Sequence, residues 1–486
     1  MKVLGVILSS LLYVLAFSPF DLKILAIISL ILFFLILENL SIKEKIFYSF
    51  TYGFFIHIFG VSWVYNSLIM YGNLDFILAA FIILIFIILV SLPFLVLGTF
   101  YKSLYQSNNV IILYNSSIFV FCEILKSTFF GGFPWLILGH SQNSTVFDTL
   151  YPISGALSVS FVIVFLALSF SKYIVDRKIK PLFLSSLLVS LIILISHIYI
   201  HNNPERNNLK KISYKIYQPN IYPDASYNER LYERINSNYL NFLNDKHSEE
   251  LIILPETILP HVVNSNNPIL AKIKNKSNHD NAIISGFFTQ DISSNIFNSM
   301  IFFTENVTLY NKRKLVPFGE YTPWYDIFTS LSDYIQFPVS NVKHGQENQK
   351  ILFFKDTHII PVICFESTFP KLINSFQDDE LIVNISNDGW FGDSISQSQH
   401  LQINRIRAIE FNRYILRSTN TGISAAIDNK GKVLKSLANN TKGMISGTVL
   451  TGYKPSFYSQ HGDLIVLMLI FFSIFLKIIL KNNEHG

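Results

Sequence analysis

Two hydrophobic rhythms divide the chain. Up to about residue 200, long apolar runs follow one another with short polar breaks, near 3–17, 23–38, 47–67, 76–100, 110–126, 154–171 and 182–199, and another lies near 464–480. A hydrocarbon core of roughly 30 Å takes about 20 apolar helical residues to cross. The run FILAAFIILIFIILVSLPFLVLGTF (76–100) is too uniformly apolar for an ordinary core helix. The pattern predicts seven membrane spans over 1–201, an extramembrane domain over 202–460, and a last span with a short tail over 461–486. Met1-Lys2 could open a signal peptide, with Ala16/Ser18 as a poor cleavage site, but Pro19 directly after that site argues for a retained span.

In the middle of the chain the rhythm shortens. Apolar β-rich runs recur at 212–217, 251–256, 282–288, 299–303, 359–366, 381–386 and 423–428, as expected for strands covered on both faces. Helical patterns lie between them, most clearly QSQHLQINRIRAIEFNRYIL (397–416), where Leu401, Ile403, Ile406, Ile409 and Ile415 mark an apolar side. Strands alternating with helices predict a layered α/β domain. NNPERNNLKK (202–211) is the polar linker that leads into it.

Charge sets an orientation. With a cytoplasmic amino terminus, the inner loops and tail carry Lys2, Lys43, Lys45, Lys102, Lys172, Arg177, Lys178, Lys180, Lys477 and Lys481, against only Lys23 and Lys126 in the short outer loops. That bias predicts an α/β domain outside the cytoplasm. A net charge of +5 with no dense basic tract gives no support to nucleic-acid binding. The two cysteines, Cys122 and Cys364, form neither a disulfide framework nor a metal-ligand spacing, and no metal or cofactor is expected. Glu123 and Lys126 in the fifth run are expected as an i,i+3 pair at the membrane edge, with part of a lipid-headgroup site as the alternative.

Three strand ends carry chemistry. Cys364 ends IIPVIC, where a nucleophile would project into the crevice at which α/β sheets bind ligands. Alone it would read as a small buried hydrophobe. Glu256 ends LIILPE as a candidate general base. Lys312 follows SMIFF and a turn, and by itself would be a surface lysine beside Arg313 and Lys314.

Together Glu256, Lys312 and Cys364, in LPETILP, YNKRKLVPFGEY and VICFEST, resemble the Glu–Lys–Cys triad of the nitrilase superfamily. GVSWVYNSL (60–68), GFPWLILGHSQ (132–142), NDGWFGDS (387–394) and the stretch 399–428 narrow the resemblance to the apolipoprotein N-acyltransferases, over nearly the whole chain. The resemblance implies a multispan helical bundle carrying an αββα sandwich in the periplasm of a bacterial inner membrane. It implies transfer of an acyl chain from a phospholipid, phosphatidylethanolamine in the first instance, to the amine of a diacylglyceryl-cysteine apolipoprotein through a thioester. It further implies supporting roles for Glu320 and Glu366, an oxyanion contact from the Phe365 backbone, and substrate contacts from Tyr227 and Trp390. Phe365 stands where the family commonly has tyrosine, and Tyr227 where it has tryptophan. A membrane-tethered amidase and a transporter with a non-catalytic outer domain are the competing expectations. The intact triad and the few ionisable residues in the spans, chiefly His57 and Glu123, disfavour the transporter.

Overall fold

The computed structural model describes residues 1–70, 75–105, 109–202, 209–221, 229–244, 250–259, 261–264, 267–317, 319–321, 341–350, 352–374 and 381–483. Its first part is helical: α1 (Lys2–Leu15), α2 (Ile24–Leu37), α3 (Ile42–Val61), α4 (Val64–Met70), α5 (Phe76–Ser91), α6 (Pro93–Phe100), α7 (Val110–Thr128), α8 (Tyr151–Asp176) and α9 (Ile179–Asn202). Among the described residues, Phe76–Phe100, Val110–Thr128, Tyr151–Asp176 and Ile179–Asn202 are each long and apolar enough to cross a membrane. The pair α3 and α4, bent by 54°, makes a fifth if taken as one span, while α1, α2 and Leu464–Leu480 are apolar but shorter. The bend falls inside the run expected at 47–67. There the Gly60 carbonyl accepts the Trp63 Nε1–H at 3.0 Å, so a side chain replaces the helix ladder. The helix surfaces fit a lipid solvent: on α9, Leu187, Leu188, Leu191 and Ile195 are exposed.

The second part is a four-layer sandwich. In chain order it contains β1 (Lys210–Gln218), α10 (Glu229–Asn244), β2 (Leu251–Ile253), β3 (Val262–Val263), α11 (Pro268–Lys274), β4 (Ala282–Gln290), β5 (Ile296–Phe303) and β6 (Val307–Asn311). After these come β7 (Leu352–Phe354), β8 (Thr357–Ile363), β9 (Leu381–Ser386), the helix Ser396–Phe411, β10 (Tyr414–Thr419), β11 (Ala425–Ile427), β12 (Val433–Ser436) and β13 (Gly443–Thr451). One sheet runs β13-β1-β2-β4-β5-β6 with β3 beside β4, and the other β12-β11-β10-β9-β8-β7. At the centres, β1, β2 and β4 are parallel, as are β8, β9 and β10.

Period-two alternation builds the layers. Leu251, Ile253, Ile284, Ile359, Ile363 and Val383 meet between the sheets. Ile252 and Ile283 turn outward onto Ile235 and Tyr239 of α10 and Ile269 of α11. Ile360, Val362 and Ile382 turn outward onto Ala408 and Phe411 of the helix Ser396–Phe411. The strands are thus covered on both faces, as their composition predicted.

The helix expected at 397–416 stops earlier. Asn412 takes a left-handed φ of 54° at its carboxyl end, and Tyr414–Thr419, where Tyr414, Ile415 and Thr419 favour extended backbone, becomes a central strand instead. The linker also ends early, since Lys210 and Lys211 already pair with β13. Strands β6, β7, β12 and β13 and helices α10 and α11 were not expected individually.

The helix Ser396–Phe411 is shared between the two parts. Ala408 and Phe411 face the sandwich, whereas Ile403, Ile406 and Ile409 join the core of the helical bundle. Its polar side chains are buried too. Gln399 Oε1 accepts from Trp135 Nε1 at 2.6 Å and Trp63 Nε1 at 3.3 Å, and Glu410 Oε1 accepts the Ala156 N–H at 2.8 Å. Glu123 and Lys126, expected as a pair, turn to the same neighbourhood instead. Glu123 Oε1 accepts the Leu138 N–H at 2.6 Å, and Lys126 Nζ donates to the Trp135 carbonyl at 2.7 Å.

Candidate active site

Strand ends from both sheets bring the predicted residues together. Glu256 follows β2, Lys312 follows β6 directly, and Cys364 follows β8 directly as the first residue of a 3-10 turn, Cys364–Thr368. Glu256 is 4% exposed, Lys312 2% and Cys364 5%, so the chemistry is buried. Gly286 on β4 permits this packing, because a Cβ there would lie 2.6 Å from the Glu256 Cα.

Every oxygen of the candidate base is held. Glu256 Oε1 accepts from Asn298 Nδ2 at 2.7 Å and Lys312 Nζ at 3.2 Å, and Oε2 accepts the Asn387 backbone N–H at 2.8 Å. Lys312 Nζ also donates to Glu320 Oε1 at 2.9 Å, an oxygen that Asn298 Nδ2 reaches at 2.6 Å. Glu320 Oε2 accepts the Val316 N–H at 2.8 Å. Burial works against the Lys312 charge, but Glu256 and Glu320 outweigh it and push its pKa above the usual lysine range. Lys312 is therefore a fixed ammonium and not a base. The Cys364 thiol is pushed up by burial and then by Glu256, and Lys312 only partly offsets this. At rest the Cys364 side chain is therefore held as a thiol, and a thiol needs a proton acceptor before it can attack.

Cys364 itself adopts a left-handed φ of 51°, a conformation that costs a non-glycine residue about 1 kcal/mol or more. Glu366 braces this turn from below. Its Oε2 accepts the Ile363 N–H at 2.8 Å, while its Oε1 accepts the Arg313 N–H at 2.6 Å, the Lys314 N–H at 3.2 Å and the Tyr310 hydroxyl at 3.0 Å. One buried carboxylate thus ties the turn Cys364–Thr368 to the segment that carries Lys312. The Phe365 ring packs edge-on against Phe369 at 5.0 Å. Trp390 lies in the turn Asp388–Phe391, which α4 grips: Ser67 Oγ donates to the Trp390 carbonyl at 2.6 Å and Asn66 Nδ2 to the Phe391 carbonyl at 3.0 Å. Tyr227 lies outside the described residues.

Sequence reasoning did not single out Asn298 or Asn387, nor the buried group Asp388, His400 and Arg417. The available signal was a polar residue inside an apolar strand, as with Asn298 in IFNSMIFF and Arg417 in YILRST, since such a residue must find a partner when buried.

Residues 9–169 match the family of apolipoprotein N-acyltransferase N-terminal domains, and residues 218–452 match the carbon–nitrogen hydrolase family. An apolipoprotein N-acyltransferase of Haemophilus influenzae is 30% identical over 451 residues, covering 88% of this chain and 85% of that one. The chain belongs to the apolipoprotein N-acyltransferase family. A relative of the same name from Pseudomonas syringae pv. tomato is 27% identical over 473 residues, covering 94% of this chain and 93% of that one. Among solved structures, a carbon–nitrogen hydrolase from Helicobacter pylori is similar over 49% of this chain and 89% of its own, with 13% identity and a TM-score of 0.38. The chain is accordingly a bacterial membrane enzyme of the N-acyltransferase type, in which a bundle domain and a carbon–nitrogen hydrolase domain form one molecule. Transfer, not amide hydrolysis, is its activity.

Proposed function

We propose that Cys364 is the nucleophile, Glu256 the general base and acid, and Lys312 with the Phe365 backbone N–H the oxyanion partners of a two-step acyl transfer. Glu256 takes the Cys364 proton, and the thiolate attacks the ester carbonyl of a membrane phospholipid. The developing oxyanion meets the Lys312 ammonium and the Phe365 N–H; one such donor is worth roughly 3–4 kcal/mol in comparable sites. Collapse breaks the ester C–O bond, Glu256 returns its proton to the departing lysophospholipid oxygen, and a thioester remains on Cys364. The α-amine of a diacylglyceryl-cysteine apolipoprotein then attacks that thioester. Glu256 takes the ammonium proton and passes it to the departing thiolate.

The observation that carries this reading is the buried Glu256–Lys312 contact of 3.2 Å beside a thiol that both groups influence electrostatically. A thioester is activated relative to an amide, so the second step runs downhill without nucleotide. Glu320 and Glu366 hold the lysine and the nucleophile turn, and Trp390 and Tyr227 contact substrate. We assign 1–201 to the bundle, 202–460 to a periplasmic catalytic domain and 461–486 to a returning span and tail in the inner membrane; the Lys and Arg bias of the short loops supports this. Phosphatidylethanolamine is the donor proposed.

Incubation with phosphatidylethanolamine alone should add one acyl group to the intact protein, released by neutral hydroxylamine and absent from Cys364→Ala. Adding a diacylglyceryl-cysteine peptide should discharge it and yield a triacylated peptide. Acylation that persists in Cys364→Ala would overturn the assignment.

A further inference from the structure

Behind the nucleophile turn lies a second buried polar chain that the mechanism above does not use. Ser367, three residues after Cys364, places its Oγ 3.1 Å from the Cys364 carbonyl oxygen and 2.9 Å from His400 Nε2. His400 Nε2 is itself 3.3 Å from the same carbonyl. On its other side, His400 Nδ1 lies 3.0 Å from Asp388 Oδ1 and 3.1 Å from Arg417 Nη2. Arg417 Nη2 donates to Asp388 Oδ2 at 2.6 Å, Ser386 Oγ donates to Asp388 Oδ1 at 2.7 Å, and Asn404 Nδ2 reaches Ser367 Oγ at 3.4 Å. Ser367, His400, Asp388 and Arg417 are all essentially inaccessible, so the chain has no substrate of its own.

Its geometry has one mechanical effect. In either tautomer of His400, at least one proton lies inside the triangle of Ser367 Oγ, His400 Nε2 and Cys364 O, and the carbonyl faces it. A peptide unit is planar, and in the trans form its C=O and N–H point opposite ways. The carbonyl of Cys364 and the N–H of Phe365 belong to one such unit. Holding the oxygen from behind therefore aims the N–H forward, on the side away from His400. The adjoining residue, Asn387, holds Glu256 by its own N–H. The consecutive pair Asn387-Asp388 thus fixes the base with one member and, through His400, the nucleophile's peptide with the other.

We propose that His400, set by Asp388 and Arg417 and acting with Ser367, is the positioning residue that aims the Phe365 N–H at the developing oxyanion. This rests on the assignment of Cys364 and Phe365 made above. A misaimed donor weakens the transition state and leaves phospholipid binding alone. His400→Leu should lower the single-turnover rate of Cys364 acylation about 100-fold, in line with the loss of an oxyanion donor, with KM for phosphatidylethanolamine within about twofold of wild type. His400→Gln, which returns an amide group near the Nε2 position, should recover about tenfold of that loss, an effect of geometry alone. Ser367→Ala removes one hydroxyl, is the variant safest for folding, and should cost about tenfold in the same rate constant. Rates are taken per enzyme that finally acylates, so misfolded protein does not count. Cys364→Ala is run alongside: product from it would defeat the nucleophile assignment, not this inference. Should Cys364→Ala be inactive while Ser367→Ala and His400→Gln acylate at the wild-type rate, the positioning role is wrong. Equal loss in His400→Gln and His400→Leu with raised KM would also overturn it.

Discussion

Replacing Lys312 by methionine separates two quantities that the site normally joins. The Nζ lies 3.2 Å from Glu256 and 2.9 Å from Glu320, with the lysine side chain 2% exposed. Methionine keeps most of the volume but leaves the Oε1 atoms of both carboxylates sharing the single amide of Asn298, at 2.7 and 2.6 Å, without a cation. Removing one partner from a buried ion pair costs about 3–5 kcal/mol, because the charge left behind is uncompensated. Losing an oxyanion donor costs about 10²–10³ in rate. The double variant Lys312→Met/Glu320→Gln removes one of the stranded charges. It should therefore recover at least about 2 kcal/mol of the stability loss, on the scale of a buried uncompensated group, and none of the rate. Denaturant unfolding in detergent gives the first quantity, and intact-mass timing of Cys364 acylation gives the second. If the two stability losses simply add, Lys312 is not what compensates Glu320. If Lys312→Met acylates within threefold of wild type, the ammonium is not an oxyanion partner.

Alkylation of the resting enzyme by iodoacetamide should rise with pH past the ordinary thiol value of about 8.5 without levelling off, because burial and Glu256 push the Cys364 thiol up and the thiolate gathers only at still higher pH. Glu256→Gln removes one of those causes and should move the alkylation–pH profile to lower pH while stopping acyl transfer; a profile left in place or moved upward would contradict the assigned coupling. Double-reciprocal plots for phospholipid and peptide should be parallel, as a covalent intermediate requires, and intersecting lines would refute the two-step order. Protease added to intact spheroplasts should cut within 202–460, whereas cutting only in inverted vesicles would reverse the orientation.

Glu256 and Cys364 were legible because each stands at the end of an apolar strand, where a polar side chain breaks the local rule; Lys312, after the partly exposed strand β6, drew notice only through its order with the other two. What the sequence did not disclose is convergence. Asn298, Asn387, Asp388, His400 and Arg417 come from three strands or their ends and one helix, and no local pattern states that Arg417 faces Asp388. The end of the helix at Phe411 was misplaced for a related reason: Tyr414–Thr419 answers to sheet pairing with β9, which propensity alone does not weigh. The membrane runs were the most legible feature, yet the break at Ser62–Trp63 depends on Gln399, whose Nε2 reaches the Gly60 carbonyl at 3.3 Å from far along the chain.

The helix Ser396–Phe411 also carries a consequence for how the enzyme is made. One side of it completes the sandwich, and the other supplies Ile403, Ile406 and Ile409 to the bundle core, with Gln399 and Glu410 bonded to Trp135 and Ala156. Synthesis delivers α1–α9 first, so the bundle waits with an open seat until about four hundred residues have emerged. Only after the α/β domain has emerged as far as the helix Ser396–Phe411 can that seat be filled. The last helix then closes on α7, where Ser473 meets Ser117 at 2.5 Å. The bundle core is thereby completed late, and an α/β domain cut free of the bundle would leave Ile403, Ile406 and Ile409 as an uncovered apolar face.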